Sequence, residues 1–223
     1  MQKLFVIFFI NLLLINLLCA QNSYEGKWKW YLIDNFETCY NWPIINGEYY
    51  KPEYYYRNPR LAIIRGGSKN LTETPKENCL GVKVLHMGYY FDAQVFIIPV
   101  RPIKLPGVCK KITFWINGRN KKLALKVMFA NYLNYIYTLT PEPATLDFFG
   151  WKKLVIDDID KKIPQLNPNR LDYRPLKIIS FIIENKYRQV FYKPFYLYID
   201  HLKAYCNEYT LHEYDGSEIP DKW

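Results

Sequence analysis

The chain has 223 residues, 50% of them hydrophobic and 23% charged, and carries a net charge of +9. That balance excludes a disordered tail, which is poorer in aliphatics, and a collagen-like or linker protein, which is richer in Gly and Pro. Aromatics reach 18%, with 21 Tyr, 13 Phe and 6 Trp, and such rings together with Val and Ile pack best on a pleated surface, so strands are expected over helices.

Residues 1–20 read as a secretory signal. A basic start, Met1-Gln2-Lys3, precedes an apolar run from Leu4 to Leu18 broken only by Asn11 and Asn16, and small Ala20 stands before polar Gln21-Asn22-Ser23. The run falls short of the roughly 20 residues a spanning helix needs, so cleavage after Ala20 is expected and no membrane segment remains. Loss of Lys3 lowers the net charge by one. The basic residues are dispersed as pairs (Lys110-Lys111, Lys121-Lys122, Lys152-Lys153, Lys161-Lys162) with acids between them, which is unlike a nucleic-acid-binding stripe. Outside the cytoplasm, such a surface suits an acidic protein or a polyanion.

From Trp28 onward, short apolar runs alternate with turn residues. The predicted strands are Trp28–Glu37, Arg60–Arg65, Leu80–His86, Gln94–Val100, Lys110–Asn117, Leu123–Ala130, Tyr135–Leu139, Trp151–Asp157, Leu176–Glu184 and Phe195–Cys206. Gly66-Gly67, Pro106-Gly107, Asn117-Gly118 and Pro141–Pro143 fall between them. About ten strands with no composition break predict an all-β, single-domain antiparallel jelly-roll β-sandwich over residues 21–206.

Alternation assigns faces. Ile112, Phe114 and Ile116 are expected inward, with Thr113 and Trp115 outward; Leu123, Leu125, Val127 and Phe129 alternate with Ala124, Lys126 and Met128. Ile178–Ile183 and Val95–Ile98 are apolar on both faces, as in strands covered twice or covered by a partner. In the last strand Phe195, Leu197 and Ile199 share a face, yet Leu202 and Ala204 resume on the other parity. A bulge at Asp200-His201 would reconcile the two halves.

Four cysteines follow the signal: Cys39, Cys79, Cys109 and Cys206. An even number in an exported chain permits two disulfides with three connectivities, and the absence of C-x-x-C excludes a zinc ribbon or thioredoxin-type pair. Catalytic patterns are absent: no H-E-x-x-H around His86, His201 or His212, no G-x-S-x-G, and no P-loop spacing in Arg65-Gly66-Gly67-Ser68. The Asp157-Asp158-Ile159-Asp160 cluster reads as a solvated strand end. Asp34 and Glu37 open the fold and Asp200 closes it. Should the terminal strands meet, these carboxylates would converge as a calcium site; otherwise they bond backbone groups or nearby lysines.

Residues 207–223 read as an acidic arm, with Glu208, Glu213, Asp215, Glu218 and Asp221 on an otherwise basic chain and Trp223 at the end. Such a terminal ring suits a pocket on a neighbouring subunit or on its own sandwich.

Five blocks in order carry a resemblance. They are Cys79-Leu80-Gly81-Val82-Lys83-Val84, Ile112-Thr113-Phe114-Trp115-Ile116-Asn117-Gly118-Arg119-Asn120, Gly150-Trp151-Lys152-Lys153-Leu154, Phe195 through Lys203, and Tyr214 through Trp223. Together they resemble the spirochaete flagellar filament outer-layer (sheath) protein A family. The Asp-Asn-Phe-Glu opening, the Phe-Trp-Ile-Asn-Gly middle and the Ile-Asp closing also look like carbohydrate-binding jelly-roll modules. The resemblance implies a non-enzymatic structural protein of the periplasmic flagellum that coats the flagellin core and supports motility. Its implied partners are flagellin, other sheath subunits and further copies of itself, with glycans as an additional class. Trp115, Trp223, Asp215 and Asp221 are the expected interface residues. The alternative is a free periplasmic lectin-like module with Trp115 or tyrosines as stacking platforms.

Overall fold

The computed structural model describes residues 28–38, 40–45, 48–49, 60–65, 78–85, 87, 93–165 and 175–207. The strands are β1 (Trp28–Asp34), β2 (Ile44–Ile45), β3 (Glu48–Tyr49), β4 (Arg60–Arg65), β5 (Asn78–Val84), β6 (Gln94–Ile97) and β7 (Ile103–Lys104). They continue with β8 (Val108–Asn117), β9 (Ala124–Ala130), β10 (Ile136–Leu139), β11 (Trp151–Ile156), β12 (Lys177–Glu184) and β13 (Phe195–Asn207). A single helical turn, α1 (Ile159–Lys162), follows β11. The signal segment lies outside the described residues, and no described helix is long and apolar enough to cross a membrane.

Two antiparallel sheets form the expected β-sandwich. One runs β11-β8-β13-β5-β4, with β1 also paired to β13; the other runs β10-β9-β12-β6, with β7 also paired to β12. The alternation that marked the strands also fills the space between them. Ile112, Phe114 and Ile116 of the first sheet and Leu125, Val127, Phe129, Phe181 and Ile183 of the second are fully buried. Phe114 meets Phe181 across the interior edge-on, with ring centroids 5.2 Å apart. Truncating either ring to Ala would cost about 3–5 kcal/mol, because lost transfer energy and an unfilled cavity add.

Two predicted features changed. Thr113 holds its outward register between Val155 and Lys203 but is buried, so the face it points to is crowded. The predicted strand Gln94–Val100 ends at Ile97. Pro99 and Pro102 lack the N–H needed for the ladder, and the chain regains β12 only as the short β7.

The long β13 changes partner along its length. It pairs with β8 at Tyr198–Asn207, with β5 at Phe195–Ile199 and with β1 at Leu202–Asn207. His201 takes a positive φ of 55°, and the register to β8 shifts between Asp200 and Lys203. This is the bulge expected from the parity switch. It keeps Ile199 and Leu202 both in the core although they lie three residues apart. The strand also runs through Asn207, opposite Trp28 and Val108, so the predicted boundary of the terminal arm moves one residue onward.

Candidate interface on the outer face of the six-stranded sheet

Residues of odd parity to the core set line the outer face of the first sheet. Register places Lys153 and Asp200 on either side of Trp115, Trp151 and Tyr198 on either side of Asn117, and Tyr196 beside Lys83. Farther along β13, Tyr205 lies between Lys111 and Trp30.

These positions form two clusters. Around Tyr198, the Trp151 ring stands 6.4 Å away and the Arg119 guanidinium sits 5.5 Å from the Tyr198 ring centre, while Lys83 Nζ lies 5.5 Å over Tyr196. Around Tyr205, Trp28 stacks at 5.6 Å and Trp30 packs at 5.2 Å, with Lys110 Nζ 5.9 Å over Trp28. A cation over an aromatic ring gains about 0.5–1 kcal/mol when exposed and more when a partner removes water. Half-exposed Trp30 and Leu32 extend the apolar area beside the second cluster. Trp115 lies between the clusters, half-buried.

Local sequence builds this surface. Arg119 and Asn120 take positive φ values of 49° and 53° in the turn after β8, where Asn117 Oδ1 accepts the Arg119 N–H and Asn120 N–H bonds the Phe148 carbonyl. Gly118 lets this turn lie against the next loop, because a Cβ there would come within 2.6 Å of the Leu146 carbonyl oxygen. Gly81, opposite Tyr198 on β5, leaves room for the Ile64 side chain, with which any Cβ would collide. An open cleft of about 520 Å³ borders the first cluster, lined by Arg119, Lys121, Phe149 and Tyr196 among others.

The terminal strands do meet: β1 pairs with β13 and Asp34 lies opposite Leu202. Asp34 is nevertheless committed to protein donors. Its Oδ1 accepts the Phe36 N–H at 2.8 Å, and its Oδ2 accepts Asn41 Nδ2 at 2.9 Å and Trp42 Nε1 at 3.0 Å. Glu37 Oε2 accepts Asn78 Nδ2 at 3.0 Å. Glu37 and Asp200 both lie near Cys79, whose thiol pKa is pushed up to about 12 by burial and then by the two negative charges. Among the described residues no group of three or more His, Cys, Asp or Glu is placed to hold a metal ion.

Two acids of the cluster after β11 are also paired. Asp157 pairs with Lys111 at 2.7 Å and Asp158 with Lys161 at 2.9 Å. The hydrogen bond from Lys111 holds the Asp157 carboxyl below the usual carboxylate range. Cys79, Cys109 and Cys206 are buried and free. Cys39, Asp215, Asp221 and Trp223 lie outside the described residues.

Of the predicted interface residues, Trp115 falls on this face. Tyr196, Tyr198, Tyr205, Trp28, Trp30, Trp151, Lys83 and Arg119 were not singled out, although alternation in Phe195–Ile199 and Trp28–Trp30 carries the signal for several of them. The outer face of the six-stranded sheet thus combines aromatic and cationic side chains on an antiparallel sandwich.

The chain belongs to the flagellar filament outer layer protein FlaA family, whose model matches residues 19–215. It is similar to a flagellar filament outer layer-like protein of Brachyspira hyodysenteriae (strain ATCC 49526 / WA1), 27% identical over 206 residues covering 86% of each chain. Solved structures with some likeness include the family 11 carbohydrate-binding module of the Clostridium thermocellum cellulase Lic26A-Cel5E, at 17% identity and a TM-score of 0.42 over 80% of this chain and 95% of that one. Another is TmCBM61 in complex with β-1,4-galactotriose, at 13% identity and a TM-score of 0.39 over 76% and 96% of the two chains. At that overlap they carry no reading of a ligand here.

Proposed function

We propose that this protein is a structural subunit of the periplasmic flagellar filament sheath, coating the flagellin core and supporting motility without catalytic turnover. Membership of the outer layer family carries the reading. The outer face of the six-stranded sheet supplies a surface suited to it: aromatic rings interleaved with Arg119, Lys83 and Lys110 match an acidic neighbour with apolar anchors. Contacts in a filament join unlike patches and repeat without closing. In this arrangement Trp115 lies inside the contact, while Asp215, Asp221 and Trp223 of an adjacent subunit supply acids and an aromatic anchor. Flagellin, other sheath subunits and further copies of this chain are the partners, and the periplasm is the compartment.

The test is co-sedimentation with purified filaments. A sheath subunit stays with filaments through a mild salt wash, and a double Trp151→Ala, Tyr198→Ser variant is lost to the supernatant. The Trp151 and Tyr198 rings beside an open cleft favour a second reading, a lectin-like module. Release by a competing sugar, with no retention in sugar-free salt washes, would establish that reading instead.

A further inference from the structure

We propose that Cys109 and Cys206 form a cross-strand disulfide in the exported protein. The two residues are direct partners on neighbouring antiparallel strands, β8 and β13. Their alignment depends on a second irregularity. Tyr205 faces Lys111 but Cys206 faces Cys109, so Lys110 is an extra residue on β8. Without that bulge Cys206 would face Lys110, and the two sulfurs would point to opposite sides of the sheet.

The backbone at Cys109 identifies the kind of pair. Its N–H donates to Gln165 Oε1 at 2.7 Å and its carbonyl accepts from Gln165 Nε2 at 2.6 Å, so both groups are turned away from β13. A position whose backbone groups face away from the partner strand belongs to a non-hydrogen-bonded pair. Such pairs have Cα atoms about 4.5 Å apart and closely approaching side chains. That spacing lies inside the roughly 4.4–6.8 Å range spanned by disulfides. Both side chains are fully buried, and the Cys206 thiol acts directly on that of Cys109. Cys79 does not compete for either. It lies on β5, which meets β13 only at Phe195–Ile199, roughly 20 Å along the strand from Cys206 at about 3.3 Å per residue.

The step balances with an external oxidant of the disulfide class. Two S–H bonds break and one S–S bond forms between Cys109 and Cys206. The two electrons and two protons pass to a disulfide-bearing exported oxidoreductase, whose own S–S bond is reduced to two thiols. The interaction with Cys206 and burial hold the Cys109 thiol far above its ordinary pKa. The bond then ties together strands separated by a loop of about 100 residues, a length at which a crosslink strongly restricts the unfolded chain. This inference rests on export and on strand geometry, and it holds whatever the protein binds.

The full chain, produced by secretion into an oxidising compartment, is denatured in an alkylating agent without reductant, digested and mapped by mass spectrometry. A linked peptide pair containing Cys109 and Cys206 is expected. Reductant should lower the melting temperature of the wild type by roughly 10 °C. A double Cys109→Ala, Cys206→Ala variant, where it folds, should show no such response. Alkylation of both Cys109 and Cys206 in the secreted protein, or linkage of either to Cys39 or Cys79, would overturn the proposal. The peptide map decides on wild-type protein alone, and its failure leaves the filament reading intact.

Discussion

Trp42 Nε1 donates to Asp34 Oδ2 at 3.0 Å, fastening the loop that follows β1 into one end of the sandwich. The indole is almost fully buried, packed against Phe36 at 5.7 Å and Phe181 of the opposite sheet at 6.1 Å. Asp34 thus connects the end of the first strand to the core through three donors. Asp34→Ala strands the buried indole N–H and the Phe36 amide, a loss of about 3 kcal/mol. For a domain of this size that lowers the melting temperature by roughly 6–12 °C. Asp34→Asn, which keeps an acceptor oxygen, should lose less. Equal melting curves for the Ala variant and the wild type would contradict this role.

The same bonds bear on calcium. With Asp34 and Glu37 engaged by protein donors, a chelator should leave the melting temperature unchanged. A ligand that prefers the native state would raise it by mass action. Differential scanning calorimetry with and without added calcium makes the comparison, and a calcium-dependent rise would restore the cation site at Asp34, Glu37 and Asp200.

Acid sensitivity should concentrate at Glu184. Burial alone would raise its pKa, but hydrogen bonds from Lys126, at 2.8 Å, and Gln94 and the charges of Lys126 and Lys186 outweigh this and hold it below the ordinary value of 4.5. A depressed folded pKa contributes stability that is present above the unfolded pKa and is lost as pH falls through the folded one. Stability should therefore decline as pH drops below about 4.5, and Glu184→Gln should flatten that part of the profile. Parallel acid profiles for the two proteins would exclude this assignment.

On the proposed interface, Trp151→Ala with Tyr198→Ser should reduce incorporation into filaments roughly tenfold or more, as expected for central aromatic anchors. The melting temperature should move little because these rings sit on the outer face. Ile136→Ser, at a half-exposed position on the other sheet, serves as the control and should incorporate normally. Equal loss from both variants would remove the special role of this face.

Deleting residues 208–223, beyond the last paired residue of β13, should spare the melting temperature and abolish incorporation. A strong fall in stability would assign the segment to the fold, and normal incorporation would discard it as an arm.

Ten strands were legible because side-chain alternation and turn residues are local signals. Even the bulge at His201 showed as a change of parity between Ile199 and Leu202. The two-residue strands β2, β3 and β7 were not, since a period of two needs several residues to register. Convergence of the terminal strands was readable from the acidic motifs, but the use of Asp34 was not, because Asn41 and Trp42 return to it through a loop. The Cys109–Cys206 alignment depends on one extra residue at Lys110, a shift that composition and alternation do not reveal. The clusters at Tyr198 and Tyr205 likewise arise from pairing across strands distant in sequence.

The most direct test is cryo-electron microscopy of periplasmic filaments purified from strains with and without this protein. The account predicts a layer of density outside the flagellin core that disappears in the deletion strain, with altered filament diameter or curvature and impaired swimming. Filaments of identical diameter, shape and surface density in the two strains would contradict it.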